Sequence, residues 1–401
     1  MPGLLRDLLD TVKERILIRD KVQFAKLLSD VRQFVRDVAI PNEDTVEAGD
    51  RIPEDIVDEM RRRGYFGWSI PEAYGGSGLT TEELAMANIE LSQCSVAFRA
   101  RVGINTGIGS EALIQDGSDA LKKAYLPRLA SGELTAALAL TEPEAGSNAT
   151  ALKTIGTRVG DGSFKLNGSK RYITLAPIAD LFTVFARTED GASSKESITA
   201  FLIERGTPGL ETSPATPKMG QEGAPIGEVY LRDCVVSAKS IIGRPGSGFL
   251  SVMKALNKQR INLASLSTGP AIRMLDEAIA YARKRRQFGR AIGEFQLVQA
   301  MLADCKVEIE AARALILATA RKRDDGEDVS MDVSMCKYLA TEMCGRVADR
   351  VVQIFGGQGY VKGAGIERFY RDVRAFRIYE GTSQIHQLNI AGHLLRQART
   401  A

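Results

Sequence analysis

The chain has 401 residues, of which 44% are hydrophobic and 26% are charged, and its formal net charge is +3. This length exceeds the size at which one hydrophobic core usually stops growing, so two or three domains that share an interface are expected. Basic and acidic residues are interspersed, which argues against a nucleic-acid-binding protein because such proteins carry a basic patch or stripe.

Signals for targeting, membrane insertion and metal binding are weak. Residues 1–20 mix acids and bases at helical spacing, which fits neither a signal peptide nor a transit peptide. No run of about 18 apolar residues is present, so we expect no membrane span. The five cysteines are far apart, without a Cys-x-x-Cys pair, which suits a reducing compartment, and we expect a cytoplasmic protein. His386 and His393 have no further ligand at suitable spacing, so we expect no metal site.

Residues 1–135 are predicted to form a helical domain. The segment "QFAKLLSDVRQFVRDVAI" (23–40) places apolar side chains at the i, i+3, i+4 and i+7 spacing of a helix face, and three later segments do the same. Between these segments, "IPEAYGGSGLT" (70–80) contains a proline and three glycines. We expect a loop there, because these residues interrupt regular helices.

Residues 136–245 are predicted to form a small antiparallel β domain. Segments such as "FKLNGSKRYIT" (164–174) and "EVYLRDCVV" (228–236) are short and rich in β-branched and aromatic residues. Turn sequences such as "GDGS" and "RGTPG" separate these segments. No helix of about ten residues stands between the predicted strands, so a parallel βαβ sheet is not expected.

Residues 246–401 are predicted to form a four-helix bundle. Two apolar stripes at helical spacing support this prediction. One stripe contains Phe295, Val298, Leu302, Cys305, Ile309, Ala312 and Ile316, and the other contains Ala340, Val347, Val351 and Ile354. The polar segment "RKRDDGED" (321–328) is the predicted turn between them. The order along the chain is therefore helical, then β, then helical.

Two segments of the last domain carry residue patterns with a choice of interpretations. "FGGQGYVKGAG" (355–365) has five glycines in eleven residues, which indicates either a plain loop or a backbone that a ligand approaches closely. In "YEGTSQI" (379–385), Thr382 or Ser383 can cap the helix that follows, or Glu380 can be a base in the mouth of a pocket. No Walker A, Gly-x-Gly-x-x-Gly or Gly-x-Ser-x-Gly sequence is present, so P-loop, Rossmann and serine-hydrolase functions have no support.

The order of five motifs resembles that of the acyl-CoA dehydrogenase family. The motifs are "LALTEPEAGSNAT" (138–150), "KRYIT" (170–174), "YARKRRQFGRAIGEFQ" (281–296), "QIFGGQGYVKGAGIERFYRDVR" (353–374) and "IYEGTSQI" (378–385). The resemblance covers residues 20–398 and implies a helical domain, a β-barrel-like domain and a C-terminal four-helix bundle. It also implies FAD as cofactor, with the redox chemistry carried by the flavin, and a homo-oligomer, usually a tetramer.

The resemblance assigns FAD contacts to residues in all five of these motifs. Leu140 and Thr141 are expected along the pyrimidine edge of the flavin, and Tyr172 and Thr174 are expected on its other side, with Thr174 donating a hydrogen bond near N5. The remaining expected FAD contacts are Arg285, Phe288, Gln296, Gln353, Gly357, Thr382 and Gln384. Of these, Gln353 and Gly357 are expected to come from a neighbouring subunit. An arginine suits a pyrophosphate because its planar donors keep their charge.

For the substrate, the resemblance implies a saturated acyl-CoA thioester that becomes a trans-2-enoyl-CoA. Glu380 is expected to remove the α-proton while the β-hydrogen leaves as hydride to flavin N5, and its backbone N–H is expected to donate to the thioester oxygen. Ser147 and Asn257 are expected to contact the thioester and its pantetheine arm, and Arg260 to steady the catalytic loop. Some relatives place the base next to Arg260, where this chain has Gln259, which cannot accept a proton usefully.

The physiological acceptor implied by the resemblance is an electron-transfer flavoprotein, and the implied process is fatty acid metabolism. Family members that use a carrier-protein thioester or oxygen, and non-dehydrogenase flavoproteins of the same fold, are the alternatives. His386 stands where many relatives have glutamine, and it is expected either to be solvated or to tune the dinucleotide. Asn105 and Thr106, in a segment expected to set the depth of the pocket, suggest an acyl tail that is not plain alkyl.

Overall fold

The computed structural model describes residues 20–188 and 193–400, so the predicted helical start within residues 1–19 lies outside the described residues. Helices occupy the first and last parts of the described chain, and strands occupy its middle. The predicted order of a helical part, a β part and a second helical part is therefore confirmed. The domain limits at residues 135 and 245 remain predictions, although the elements change type close to both positions.

The first part consists of helices around an aromatic core. The helices are α1 (Lys21–Phe34), α2 (Glu43–Gly49), α3 (Glu54–Arg62), α4 (Thr81–Leu91), α5 (Val96–Asn105), α6 (Glu111–Asp116) and α7 (Asp119–Ala130). Helix α4 begins with a capping box, because the Thr80 hydroxyl accepts from the backbone N–H of Glu83 while the Glu83 carboxylate accepts from that of Thr80. The ring of Phe34 packs edge-on against Tyr65 at 5.4 Å and against Phe98 at 6.1 Å. Such contacts fix how α5 lies against α1.

The predicted loop at residues 70–80 folds back on itself between α3 and α4. A Cβ at Gly76 would lie only 2.0 Å from the carbonyl oxygen of Ile70, so a side chain cannot be accommodated there. The backbone N–H of Gly78 donates to the same carbonyl at 2.9 Å, which closes the loop. The glycines of this segment therefore serve a tight backbone approach.

The middle part is one sheet of eight strands. The strands are β1 (Ala136–Ala139), β2 (Ile155–Arg158), β3 (Phe164–Thr174), β4 (Leu181–Arg187), β5 (Ile198–Glu204), β6 (Leu210–Thr212), β7 (Ile226–Val236) and β8 (Ile241–Ile242). Their order is β6-β7-β3-β2-β4-β5-β8, with β1 paired to β4. Most neighbours are antiparallel, as predicted, but β1 and β2 both run parallel to β4, which corrects the expectation of a purely antiparallel sheet. β2 and β4 are parallel because the chain reverses once between β2 and β3 and again between β3 and β4.

The last part is built on three long helices and a terminal one. They are α8 (Gly248–Lys284), α9 (Gln296–Asp324), α10 (Asp332–Phe355) and α13 (Ser383–Thr400), with the short α11 (Gly357–Tyr360) and α12 (Ile366–Val373) between the last two. A two-stranded hairpin, β9 (Arg286–Gln287) with β10 (Arg290–Ala291), joins α8 to α9. Both predicted apolar stripes contribute to the core of this bundle, through Cys305, Ile309, Ala312 and Ile316 of α9 and Ala340, Val347, Val351 and Ile354 of α10.

The first and last parts are joined by buried and half-buried ionic contacts. Both oxygens of Asp324, at the end of α9, accept from the backbone N–H groups of Thr81 and Glu82 at the start of α4, at 2.8 and 2.9 Å. Arg368 of α12 binds Glu43 of α2 at 3.0 Å, and both side chains are buried. These contacts hold α4 against α9 and α2 against α12.

Candidate active site

The loop that carries Glu380 has an unusual backbone. Glu380 has φ +56° and Gly381 has φ +97°, and a non-glycine residue in this left-handed region costs about 1–3 kcal/mol. Three side chains hold the loop in place: Nζ of Lys337 donates to the Gly381 carbonyl at 2.6 Å, Nε2 of His386 donates to the Glu380 carbonyl at 3.3 Å, and the Ser383 hydroxyl donates to Glu342 at 2.6 Å. Backbone strain of this kind is typical of functional sites.

The two interpretations of the Glu380 segment are compatible. The Thr382 hydroxyl accepts from the backbone N–H of Ile385 at 3.3 Å, and the Thr382 carbonyl accepts from that of His386 at 3.1 Å. Thr382 therefore caps α13. Because the cap lies two residues beyond Glu380, it leaves the carboxylate outside the helix and free to face a different surface.

The Glu380 carboxylate is desolvated and sparsely hydrogen-bonded. Its Oε1 accepts from Nε2 of Gln259 at 3.2 Å, whereas its Oε2 is buried without a hydrogen-bond partner. Burial raises the pKa of Glu380 to about 7, although the hydrogen bond from Gln259 and the charges of Arg99, Lys337 and Arg260 oppose the shift. At neutral pH this group can therefore both hold and release a proton, which is what a general base requires.

His386 is fully buried, which excludes the expectation that it is solvated. A Cβ at Gly381 would lie 2.9 Å from Nε2 of His386, so the ring supports the loop directly beneath this glycine. Burial, together with the charges of Arg260 and Lys337, lowers the pKa of His386 to about 3. The ring is therefore neutral at physiological pH and acts as a hydrogen-bond donor to the loop.

Two motifs of the β domain meet through an ion pair that sequence reasoning missed. Nζ of Lys170 binds the Glu142 carboxylate at 2.8 Å, and both side chains are buried. The same carboxylate accepts from the backbone N–H of Thr154 at 2.9 Å, and the Thr141 carbonyl accepts from the backbone N–H of Arg171 at 2.8 Å. Glu142 thus ties the segment after β1 to the end of β3. The sequence offered two signals for this pair, namely Glu142 inside one motif and Lys170 inside the other.

The predicted flavin residues of these two motifs lie on accessible surface. The β3–β7 pairing shifts its register between Lys170 and Ile173, and Tyr172 takes φ +58° in this bulge, so that its side chain is 57% exposed. Leu140, Thr141 and Thr174 are half-buried. Ser147, the predicted thioester contact, is exposed in the loop before β2.

The other residues predicted to contact the substrate are Asn257 and Arg260 of α8, and Asn105 and Thr106 at the acyl tail. Nη1 of Arg260 donates to Oδ1 of Asn257 at 3.2 Å, so these two residues of α8 form a pair. Asn105 and Thr106 are fully buried core residues, which contradicts their expected role at the acyl tail. The Asn105 amide donates to the carbonyls of Leu129 at 3.1 Å and Leu134 at 2.6 Å. The Thr106 hydroxyl donates to the Val102 carbonyl at 3.2 Å.

Within the described residues, no group of three or more histidine, cysteine, aspartate or glutamate side chains could hold a metal ion. All five cysteines are buried and free. The spacing of the cysteines in the sequence likewise indicated no disulfide framework. No described helix has the length and apolarity needed to cross a membrane.

Comparison with protein families gives three matches in chain order. The N-terminal domain of acyl-CoA dehydrogenases matches residues 24–133, the middle domain matches residues 137–234, and the C-terminal domain matches residues 246–395. The chain belongs to the acyl-CoA dehydrogenase family. It is accordingly an FAD-dependent oxidoreductase.

Curated members of the acyl-CoA dehydrogenase family match over nearly their whole length. A 3-(aryl)acrylate reductase of Clostridium sporogenes is 38% identical over 91% of this chain and 98% of its own. The CarC subunit of the caffeyl-CoA reductase–Etf complex of Acetobacterium woodii is 35% identical over 92% and 98%. A glutaryl-CoA dehydrogenase of Desulfococcus multivorans is 37% identical over 91% and 94%.

Solved structures of the acyl-CoA dehydrogenase family give the same picture. Butyryl-CoA dehydrogenase of Megasphaera elsdenii is 32% identical, with a TM-score of 0.89 over 93% of this chain and 98% of its own. A glutaryl-CoA dehydrogenase in complex with glutaryl-CoA is 35% identical, with a TM-score of 0.88 over 94% and 95%. PigA in complex with FAD is 28% identical, with a TM-score of 0.89 over 94% and 98%.

The predicted FAD residues of this acyl-CoA dehydrogenase fall into two separate groups. The group that we name the flavin-side half-site comprises Leu140, Thr141, Tyr172 and Thr174 of the β part and Thr382 and Gln384 beside Glu380 in the sequence. The pyrophosphate-side half-site comprises Arg285, Phe288, Gln296, Gln353 and Gly357, which are all exposed. Its two segments meet at one end of the bundle, because the ring of Tyr281 stacks on that of Phe355 at 4.1 Å.

The two half-sites of one chain lie far apart along α8. Arg260, whose charge reaches Glu380, and Arg285 are separated by 25 residues of α8, which correspond to about 38 Å along a helix. This separation exceeds the length of an extended dinucleotide. Phe288 is 93% exposed with φ +52°, and no heavy atom lies within 4 Å of a Cβ placed at Gly357. Both groups are thus open to a partner molecule, as FAD binding between subunits would require.

Proposed function

We propose that the protein oxidises a saturated acyl-CoA thioester to its trans-2-enoyl-CoA, with Glu380 as the base that takes the α-proton. FAD, when bound, would supply the electron sink for the hydride that leaves the β-carbon. The observation that carries this proposal is the Glu380 carboxylate, with one oxygen buried and unpartnered and its pKa raised to about 7 by burial. A base of this kind typically contributes roughly 10²–10⁴-fold to the rate.

The residues around Glu380 fit the task of a base rather than that of a structural acid. A structural carboxylate would be paired, but Glu380 receives one hydrogen bond, from the neutral amide of Gln259. Gln259 itself is held by Nδ2 of Asn262 at 3.2 Å, which directs its amide N–H toward Glu380. We assign Gln259 the role of orienting the base, and the backbone N–H of Glu380 the role of a donor to the thioester oxygen.

We further propose that FAD is bound between two copies of the chain. The flavin-side half-site of one copy and the pyrophosphate-side half-site of another would form each complete site. Large apolar side chains are exposed on helices of the bundle, which supports contact with further copies. They include Leu297 and Val307 of α9 and Leu388, Leu394 and Leu395 of α13. A homo-oligomer, with a tetramer as the expected state, follows from this proposal.

The electron acceptor that we propose is an electron-transfer flavoprotein. The relative from Acetobacterium woodii is named as a subunit of a reductase–Etf complex, which supports such a partner for a chain of this similarity. A role in fatty acid metabolism and a cytoplasmic location remain proposals of the same kind. The relatives named for butyryl, glutaryl and arylacrylate substrates differ in the acyl group, so the acyl group has to be inferred from this chain's own residues.

The test is anaerobic bleaching of the purified yellow protein by acyl-CoA thioesters. Wild-type enzyme is expected to lose its flavin absorbance with at least one saturated thioester and to turn over with an artificial electron acceptor. The Glu380→Gln variant is expected to retain FAD and lose at least about 10²-fold in turnover, because the amide cannot take a proton. The control is Gln387→Leu, which removes an exposed hydrogen bond from α13 to Tyr338 and should keep the α-proton base.

Three outcomes would contradict the proposal in different ways. Retained turnover in Glu380→Gln would require another base. Bleaching only by carrier-protein thioesters, or rapid oxygen consumption without an added acceptor, would favour those members of the family. Absence of bleaching by any thioester, with reduction by some other donor, would favour a flavoprotein of the same fold without dehydrogenase activity.

A further inference from the structure

Arg99 is a buried cation without adequate partners, close to the proposed base. It lies on α5 and is 3% exposed, and its Nε and Nη2 atoms are buried without a hydrogen-bond partner. Glu380 and Tyr379 are the acidic groups whose charge acts on it, and burial lowers the pKa of Arg99 to about 10. Burying a charged group without a partner is costly, so such a group usually serves a ligand or a specific network.

Arg101, two residues further along the same helix, provides a contrast. It is also buried, but its guanidinium lies over the ring of Phe66, at 5.3 Å from the centroid. A cation above an aromatic face has a favourable partner. Arg101 is therefore explained by the packing of the helical part, whereas nothing of this kind accounts for Arg99.

Two glycines, Gly103 in α5 and Gly107 in the turn after it, leave room for the side chains of Arg99 and Gln259. A Cβ at Gly103 would lie 1.3 Å from Nη1 of Arg99, so the guanidinium lies directly over this glycine. A Cβ at Gly107 would lie 2.1 Å from Oε1 of Gln259, whose amide donates to Glu380 at 3.2 Å. Residues spaced by four lie on one helix face. Gly107 follows the end of α5, and the charge of Glu380 acts on Arg99, so the side of α5 that carries Arg99 and Gly103 is turned toward Gln259 and Glu380.

We propose that Arg99 binds a carboxylate at the far end of the acyl chain, so that the substrate is the mono-CoA thioester of a dicarboxylic acid. This proposal rests on the proposed function, because it places the acyl chain between Glu380 and α5. The guanidinium donors match a carboxylate in a planar, two-pronged geometry, and the interaction is strengthened in a desolvated site. A neutral alkyl tail would leave Nε and Nη2 of Arg99 buried and unpaired.

The corrected positions of Asn105 and Thr106 strengthen this assignment. The sequence suggested these two side chains as contacts of the acyl tail, but both donate their hydrogen bonds to backbone carbonyls. Arg99 is the polar side chain of α5 that combines burial, unpartnered donors and proximity to the base. A site whose buried polar groups await a specific partner rejects substrates that lack it, by a factor that can reach about 10⁴.

The test compares matched thioesters on the FAD-loaded enzyme. Initial rates with an artificial acceptor are measured for glutaryl-CoA and adipyl-CoA and for their neutral counterparts, butyryl-CoA and hexanoyl-CoA. The dicarboxylic thioesters are expected to have kcat/KM values at least about tenfold higher. Arg99→Gln is expected to lower kcat/KM for the dicarboxylic thioesters by roughly 10²-fold or more while changing the neutral ones much less, and Arg99→Lys should recover part of the loss.

Two controls separate a specific role from a structural one. Arg101→Gln removes a guanidinium of similar burial from the same helix, and it is expected to leave the ratio of dicarboxylic to neutral kcat/KM unchanged. Binding is measured independently by calorimetry in Glu380→Gln, which should not turn over, with glutaryl-CoA and butyryl-CoA as probes. Adding Arg99→Gln to this variant is expected to weaken glutaryl-CoA selectively.

The outcomes for the two proposals are distinct. If neutral thioesters are preferred and Arg99→Gln leaves the ratio unchanged, the carboxylate proposal is wrong while the dehydrogenase function stands. If no thioester reduces the flavin, the proposed function is wrong, and the binding measurement still decides whether Arg99 selects a carboxylate. If Arg99→Gln fails to retain FAD, the equally neutral Arg99→Met variant provides the comparison, and an unchanged ratio in that variant, with unchanged binding, would overturn the proposal.

Discussion

At the scale of single residues, the chemistry depends on the Glu380 carboxylate, which is desolvated and has no direct ion-pair partner. Its carboxylate is desolvated, yet its neighbours include three cations, Arg99, Lys337 and Arg260, which act at a distance and do not form a direct ion pair with it. Burial raises its pKa and the cations limit the rise. The result is a value near neutrality, which suits proton abstraction from a weakly acidic carbon.

This balance predicts a pH dependence with a defined sign. Because the base must be ionised, kcat/KM should rise as pH increases through about 7, the pKa of Glu380. Gln259→Leu removes the hydrogen bond that stabilises the ionised form, so its rising limb should move to higher pH. The measurement is the pH profile of kcat/KM for both enzymes. Gln387→Leu removes an exposed hydrogen bond between α13 and Tyr338 of α10. This variant should leave the inflection unchanged. An inflection in Gln259→Leu at the same or a lower pH would contradict the assignment.

At the scale of secondary-structure elements, a buried ionic cluster joins α12 to α2. Nη2 of Arg368 donates to Glu43 at 3.0 Å, and its Nη1 donates to Asp44 at 2.8 Å and to Glu47 at 3.1 Å. α12 precedes the catalytic loop by a few residues, so this cluster ties the loop's support to the first part of the chain. Its loss is expected to affect both stability and the position of Glu380.

Arg368→Ala should therefore destabilise the protein by about 3–5 kcal/mol, because Glu43 would remain buried without its hydrogen-bonded cation. Chemical denaturation of the FAD-loaded enzyme measures this change. The control is Arg346→Ala, which removes a half-exposed partner of Glu308, an acid that Arg350 also binds, and should cost about 0–1 kcal/mol. Adding Glu43→Gln to Arg368→Ala should restore part of the loss. A similar cost for both arginine variants would indicate that the Arg368 cluster contributes no more than a surface pair.

At the scale of the whole molecule, the two half-sites define how copies of the chain must cooperate. Glu380 contacts Gln259 in the first half of α8, and Arg285 directly follows the end of this helix, 26 residues further on, or about 39 Å along a helix. If each FAD is bound between subunits, one chain can supply the base while another supplies the pyrophosphate contact. This arrangement predicts complementation between defective chains.

Glu380→Gln and Arg285→Gln should each be inactive alone, the first because it lacks the base and the second because it binds FAD at least about tenfold more weakly. Oligomers formed from a mixture of the two should recover activity, since some sites then contain Glu380 from one chain and Arg285 from the other. Turnover after coexpression, with FAD content determined by absorbance, is the measurement. Mixing either variant with the double variant Glu380→Gln/Arg285→Gln should give no recovery. Failure of the two single variants to complement would argue that each chain completes its own site.

Much of this molecule could be predicted from local patterns in the chain. The helical, β and helical parts follow from apolar periodicity and turn chemistry, and the stripe from Ala340 to Ile354 of α10 is buried as its spacing indicated. Glu380 and the cap at Thr382 were both visible in one short segment, because capping and loop geometry depend on neighbours within a few residues.

The remaining features depend on contacts between residues distant in sequence, which no local pattern specifies. Asn105 was misassigned because its partners are carbonyls 24 and 29 residues away, and only folding shows that they satisfy its amide. Glu142 and Lys170 lie 28 residues apart in separate motifs, and only the folded sheet brings them together. From the sequence alone, the Arg99 side chain could have been solvated, paired with an acid, or buried without a partner. Its environment is set by α8 and the Glu380 loop packing against α5, and desolvation is a property of that assembled surface.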